Sequence, residues 1–326
     1  MAKTTRLFKS FFKLLFPIVL LIVLAIGAAS IWLVHQIARP PRAEYLVTPE
    51  KYGQLSSRGS QVTHETWTNR DGTPARGWLL RGAENSPAVL LLHRFGADRS
   101  HLLNLGVKLN EATDFSVLMP DQRSHGQDPS VENASLGGCE ANDAGSAIEF
   151  LRAQKSPGQV PLVGKEIGVY GLEMGALVAM SAASRDETIT ALVLDSVPLN
   201  SDHLIAALIA KRFPFGSSVT SRLGQLGAYP YFYDGCYERV PVCELAKTLG
   251  NRKLMLLAGL DAPDFQDSTS KLSKCFPAST RTETKTDLSP SGHSIINASI
   301  ELSEAYDQRV IDFFRKALAS QEGEMR

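Results

Sequence analysis

The chain lacks a net charge: its 326 residues carry 34 Lys+Arg against 34 Asp+Glu. No global field therefore draws it to nucleic acid or to a strongly charged substrate, and no nucleic-acid partner is expected. Cysteine is scarce. Cys139, Cys236, Cys243 and Cys275 form no C-x-x-C motif, and no two histidines stand at ligand spacing, so neither a metal nor a cofactor is expected. Four cysteines allow three pairings; Cys236 and Cys243 are close enough to close a small loop, and free buried thiols are the alternative. Internal repeats are missing too, and the only polar low-complexity stretch is Ser320 to Arg326.

What the chain does have is an uncharged apolar run from Leu14 to Val34, long enough to cross a membrane and apolar all round. Lys3, Arg6, Lys9 and Lys13 precede it, whereas only Arg39 and Arg42 follow closely. The positive-inside bias then leaves the N-terminus cytoplasmic and the rest of the chain extracytoplasmic, in a periplasm or outside the cell. A cleaved signal peptide is the competing reading, because Gly27-Ala28-Ala29-Ser30 would suit a peptidase, although such apolar regions normally span about 7–15 residues. In an oxidising compartment the cysteines would pair. Pro40-Pro41 ends the helix. The expected organisation is a basic segment 1–13, a signal anchor 14–35, a linker 36–58, one α/β domain 59–318 with a cap insertion at about 198–250, and a polar tail 319–326.

Within the domain, Gln61 to Thr68 and Ala75 to Arg81 flank Asn69-Arg70-Asp71-Gly72 and predict a hairpin with an Asp-Gly turn. Ala88 to His93, Ser116 to Pro120, Ile167 to Gly171, Ala191 to Asp195 and Lys253 to Gly259 are short apolar runs, as strands buried on both faces would be. Ala141 to Ala153 and Met174 to Ala183 read as helices between them. The interval from Pro198 to Gly250 is too long for a plain connection; it holds a helical stretch from Asp202 to Phe213, the aromatic Tyr229-Pro230-Tyr231-Phe232-Tyr233-Asp234-Gly235, and another helix from Glu244 to Leu249.

Four motifs carry chemistry. Gly171-Leu172-Glu173-Met174-Gly175 joins a strand to a helix; Leu91-Leu92-His93-Arg94-Phe95-Gly96-Ala97 and Pro120-Asp121-Gln122-Arg123-Ser124-His125-Gly126 follow two earlier strands; and Ser289-Pro290-Ser291-Gly292-His293-Ser294 precedes the last helix. Together they resemble the α/β-hydrolase superfamily over roughly Thr63 to Lys316, in the serine-hydrolase branch with monoacylglycerol lipases and serine aminopeptidases. That resemblance implies an α/β-hydrolase fold: a mostly parallel eight-stranded sheet, helices on both faces, and a cap after the sixth strand, here preceded by one transmembrane helix. It also assigns roles. Glu173 stands at the nucleophile position of the elbow, His293 is the base, Asp261 or else Asp264 orients it, and Phe95 and Met174 supply oxyanion N–H groups.

The chain departs from this pattern twice. Glu173 has no proton to give a histidine at neutral pH, whereas serine does. Superfamily members with aspartate at the elbow attack as carboxylates, but glutamate is one methylene longer. Arg94 replaces the glycine that usually follows the loop histidine, and would be strained if that position needs φ > 0. Arg94 is therefore expected to neutralise Glu173, with a protonated His293 as the competing partner. Two functions follow: a degenerate, membrane-anchored hydrolase-fold protein that binds a lipophilic or ester-like ligand or a partner, or an active ester or peptide hydrolase using Glu173, Ser124 or Ser291. Asn133 and Asn297 lie in glycosylation sequons that matter only in a eukaryotic secretory route.

Overall fold

The computed structural model describes residues 2–42, 44–53, 61–233, 237 and 239–319, with side chains from Lys13 onward. The cysteine Cys236, the turn residues Asp234 and Gly235, part of the 36–58 linker and the polar tail from Ser320 fall outside these residues. Two compact units emerge: residues 39–204 with 236–326, and residues 1–38 with 205–235.

The larger unit is built on one eight-stranded sheet. Its strands are β1 (Val62–Thr68), β2 (Pro74–Leu80), β3 (Ser86–Leu92), β4 (Ser116–Pro120), β5 (Val163–Leu172), β6 (Ile189–Asp195), β7 (Lys253–Gly259) and β8 (Arg281–Leu288), in the spatial order 1-2-4-3-5-6-7-8. β1 and β2 pair antiparallel through the expected turn, where Gly72 has φ 84°. β2 meets β4 antiparallel, and every pairing from β4 to β8 is parallel. β3, β5, β6 and β7 read as near-continuous apolar runs because both faces are buried; Leu90, Val169, Leu192 and Leu256 are wholly inaccessible. The helices in chain order are α1 (Ala2–Ala38), α2 (Pro49–Gly53), α3 (Leu103–Thr113), α4 (Gly138–Arg152), α5 (Met174–Arg185), α6 (Ser201–Arg212), α7 (Ser217–Tyr231), α8 (Val242–Ala246), α9 (Pro263–Leu272) and α10 (Ile300–Leu318). α6, α7 and α8 occupy the long interval after β6.

The smaller unit comprises α1, α6 from Ile205 onward, and α7. From Lys13 to Ala38, α1 is long and apolar enough to span a membrane, and Leu14 to Ile26 expose their side chains. Farther along, α7 lies against α1 so tightly that a Cβ on Gly227 would come within 2.3 Å of the Ser30 carbonyl oxygen.

Cys243 pairs with Cys275 across 32 residues, so the short Cys236–Cys243 loop is not formed; Cys139 is disulfide-bonded as well. Proximity in sequence misled here because β7 and α9 fold back between Cys243 and Cys275.

Candidate active site

Glu173 caps the N-terminus of α5 at φ 52° and ψ −109°, a backbone region that costs an L-residue on the order of 1–3 kcal/mol. The flanking glycines make the turn possible. A Cβ on Gly171 would lie 2.3 Å from the Gly175 carbonyl oxygen, and one on Gly175 would lie 2.3 Å from that of Leu92. The strand-turn-helix therefore presses against β3, with the Glu173 N–H anchored 2.9 Å from the Asp195 carbonyl oxygen. Met174, the first helical residue, has an N–H that no turn of α5 can satisfy.

The carboxylate so presented is 3% exposed at residue level. Its Oε2 lies 3.2 Å from His293 Nδ1, a close but poorly aligned contact that leaves Oε1 and Nδ1 without a hydrogen-bond partner among the described residues. Of the two partners expected for Glu173, the structure brings up the histidine and not the arginine. Arg94 Nη1 instead donates to the Phe95 carbonyl oxygen at 3.3 Å, and no Arg94–Glu173 ion pair occurs among the described residues. Nor is Arg94 strained: the positive φ of its loop falls on Gly96, at 71°, so the glycine that the loop needs sits two residues further along.

The expected acid is also absent from His293. Asp261 spends its carboxylate on Ser291, accepting from the backbone N–H at 3.0 Å and from Oγ at 3.0 Å; these bonds and one to Ser294 hold its pKa below the usual carboxylate value, against the opposing effect of burial. Asp264 opens α9 and makes no contact with His293 among the described residues. The geometry thus gives Asp261 a loop-bracing role, which a linear sequence cannot distinguish from a histidine-orienting one. The alternative nucleophiles lack a base. Ser124 Oγ has no hydrogen-bond partner among the described residues, and the Ser291 hydroxyl donates to Asp261 while accepting the His293 N–H at 3.2 Å.

Asp195, at the end of β6, is the site residue that sequence reasoning missed. It is wholly buried, and its carboxylate accepts from Gly292 N–H at 2.8 Å, Tyr306 O–H at 2.6 Å and Ser196 Oγ at 2.8 Å. Burial raises its pKa, and burial beside it raises the phenols of Tyr170 and Tyr306, whose oxygens are 2.9 Å apart. The signal was available: an aspartate closing an otherwise apolar strand. Asp195 thus supports the turn that carries His293 from beneath.

Two histidines lock the facing loops by exchange. His93, after β3, accepts the Gln122 N–H on Nε2 at 3.1 Å and sets Nδ1 2.8 Å from the Arg94 carbonyl oxygen. His125, after β4, accepts the Gly96 N–H on Nε2 at 3.0 Å and places Nδ1 2.8 Å from the Arg123 carbonyl oxygen. Both rings must be neutral to accept, with the proton on Nδ1. Gly96 N–H is thereby unavailable to an oxyanion, while Phe95 packs edge-on against His125 at 5.2 Å. Burial pushes His93 down to about 4 and His125 to about 3 from the ordinary 6.5. Above pH 6.5 neither state is protonated and the stability is fully present. As pH falls from 6.5 towards 4 only the unfolded chain takes up protons, so stability is lost, by about 3 kcal/mol for His93 alone. Urea midpoints measured between pH 7 and pH 4 are expected to fall accordingly, and less steeply in His125→Asn, which keeps an acceptor that does not titrate. An identical slope in that variant would count against the exchange.

A cavity of about 100 Å³ lies beside the elbow, lined by His93, Arg94, Tyr170, Leu172, His293 and Tyr306 among others. A space of that size admits a small polar group. No cluster of three or more His, Cys, Asp or Glu side chains suited to a metal ion occurs among the described residues.

No family model matches the chain. Curated relatives include thiohydrolase aneE of Aspergillus aculeatus, 28% identical over 130 residues (40% of this chain, 39% of that protein). Polyketide transferase ATR5 of Stachybotrys chlorohalonatus is 26% identical over 165 residues (50% and 52%). The chain thus spans about half or less of the length of the curated relatives it matches. Among solved structures, the Pyrococcus furiosus esterase Pf2001 superposes with a TM-score of 0.62 at 20% identity, covering 87% of this chain and 99% of that one. With the strand order and elbow above, the chain has the α/β-hydrolase fold.

Proposed function

We propose that this is a membrane-anchored α/β-hydrolase-fold protein that is catalytically degenerate at the nucleophile elbow and acts by binding a ligand or partner. The observation that carries this reading is the 3.2 Å contact between the Glu173 carboxylate and His293 Nδ1. A serine hydrolase needs one ring nitrogen, Nε2, to receive a hydroxyl proton, and needs a carboxylate on the other, Nδ1. Here the ring faces an acceptor with no proton to transfer, and Asp261 is committed to Ser291. An ester, thioester or other lipophilic molecule is the ligand class, in keeping with the esterase and thiohydrolase names of similar proteins; the cavity beside His293 suits its small polar end. The apolar run of α1 from Leu14, preceded within the helix by basic residues, supports a single-pass anchor with a cytoplasmic N-terminus, and the Cys243–Cys275 bridge is in keeping with an oxidising compartment beyond the membrane.

The full chain in detergent, assayed on short p-nitrophenyl esters, is expected to hydrolyse no faster than its Glu173→Gln variant. A fluorophosphonate should label Glu173→Ser, where the elbow would hold a hydroxyl beside His293, and leave the native chain unlabelled. Hydrolysis by the native chain that Glu173→Gln abolishes would establish the second reading, attack by the carboxylate itself.

A further inference from the structure

The segment from His203 to Tyr233 contains no Asp or Glu, although the whole chain is balanced, and it carries Lys211, Arg212 and Arg222. Most of it forms the smaller unit with α1. Three contacts set its height along α1: Gly227 against Ser30, Phe213 against Trp32 with ring centroids 5.8 Å apart, and the Tyr231 hydroxyl 3.0 Å from His35 Nδ1. Taking Leu14 as the inner edge of the hydrocarbon, Ser30 lies about 24 Å along the helix and Val34 about 30 Å, the thickness of a bilayer core. The insertion therefore meets α1 at the outer hydrocarbon boundary.

At that height α7 turns its small face, Gly224, Gly227 and Ala228, inward, where all three are buried. Its other face shows Val219, Arg222, Leu226 and Tyr229 at steps of three and four residues, continuing to Phe215 before the helix and Tyr233 after it. This stripe is exposed, Phe215 to 93%. An apolar stripe with one cation in it, two more just before it and no acid is unsuited to water and suited to lipid headgroups over acyl chains. Trp32, itself 52% exposed, would stand with Tyr229 and Tyr233 where interfacial aromatic residues concentrate.

We infer that the Phe215–Tyr233 stripe of the insertion is a second membrane contact, lying in the outer interface of the same bilayer that α1 spans. The inference rests on the proposed membrane anchor. Both are tested in the full chain reconstituted into vesicles whose lipids carry bromine on the upper acyl-chain carbons, which quenches nearby tryptophan. Trp32 reports the anchor, as the difference between the native chain and Trp32→Phe. Tyr229→Trp and Phe215→Trp, each in the Trp32→Phe background, report the stripe; both positions are exposed, and the substitutions keep an aromatic ring at each. The expected result is loss of most of the difference fluorescence from all three indoles. Quenching of Trp32 with none at 229 and 215 would overturn the inference while the anchor stands. No quenching at any position would remove the anchor and the inference with it.

Discussion

Replacing Asp195 with alanine is expected to destabilise the larger unit by about 3–5 kcal/mol, lowering the melting temperature by about 10 °C. The expectation follows from counting what would be stranded. Gly292 N–H, Tyr306 O–H and the Ser196 hydroxyl all end on this wholly buried carboxylate, and each unpaired buried donor costs on the order of 1–3 kcal/mol. Asp195→Asn keeps an oxygen for Gly292 and Tyr306, and the Ser196 hydroxyl can rotate to accept from the new amide, so it is expected to cost no more than about 1 kcal/mol. Thermal unfolding of the two variants, followed by near-ultraviolet circular dichroism, separates these outcomes. If alanine and asparagine melt together, the carboxylate is not what holds the Gly292-His293 turn.

The second large effect belongs to the elbow. Gly175→Val should cost about 3 kcal/mol or more, because the new Cβ would start 2.3 Å from the Leu92 carbonyl oxygen and 2.8 Å from that of His93. These are backbone atoms, so relief requires α5 to move off β3. Gly158→Ala is the control: its nearest neighbour would be Ser156 Oγ at an ordinary 3.6 Å, and a change within about 0.5 kcal/mol is expected. Equal urea midpoints for the two variants would mean that α5 rides more loosely on the sheet than its contacts indicate.

The buried strands were legible because both of their faces are covered and their composition has little freedom. β8 escaped notice for the opposite reason. Arg-Thr-Glu-Thr-Lys-Thr-Asp-Leu has no apolar run, and its only strand signal is threonine at every second position, Thr282, Thr284 and Thr286. At the site, the elbow glycines and the Gly-His turn were readable from local chain geometry alone. Partner choice was not. Whether Asp261 turns to His293 or to Ser291, and whether Arg94 reaches Glu173 or folds onto its own loop, depends on side-chain directions set by neighbours distant in sequence. The exchange between His93 and His125 was hidden likewise, since each histidine serves the other's loop.

β8 also closes the sheet at one edge, with Arg281, Glu283, Lys285 and Asp287 all exposed along it. An edge strand is an open template for pairing, and alternating charge penalises an incoming apolar strand, which offers those ions no partner. Copies of this chain held in one membrane by the proposed anchor would collide far more often than copies free in solution. In such collisions the charged margin would turn aside apolar strand edges, whereas a second β8 set antiparallel would match Arg281 with Asp287 and Glu283 with Lys285.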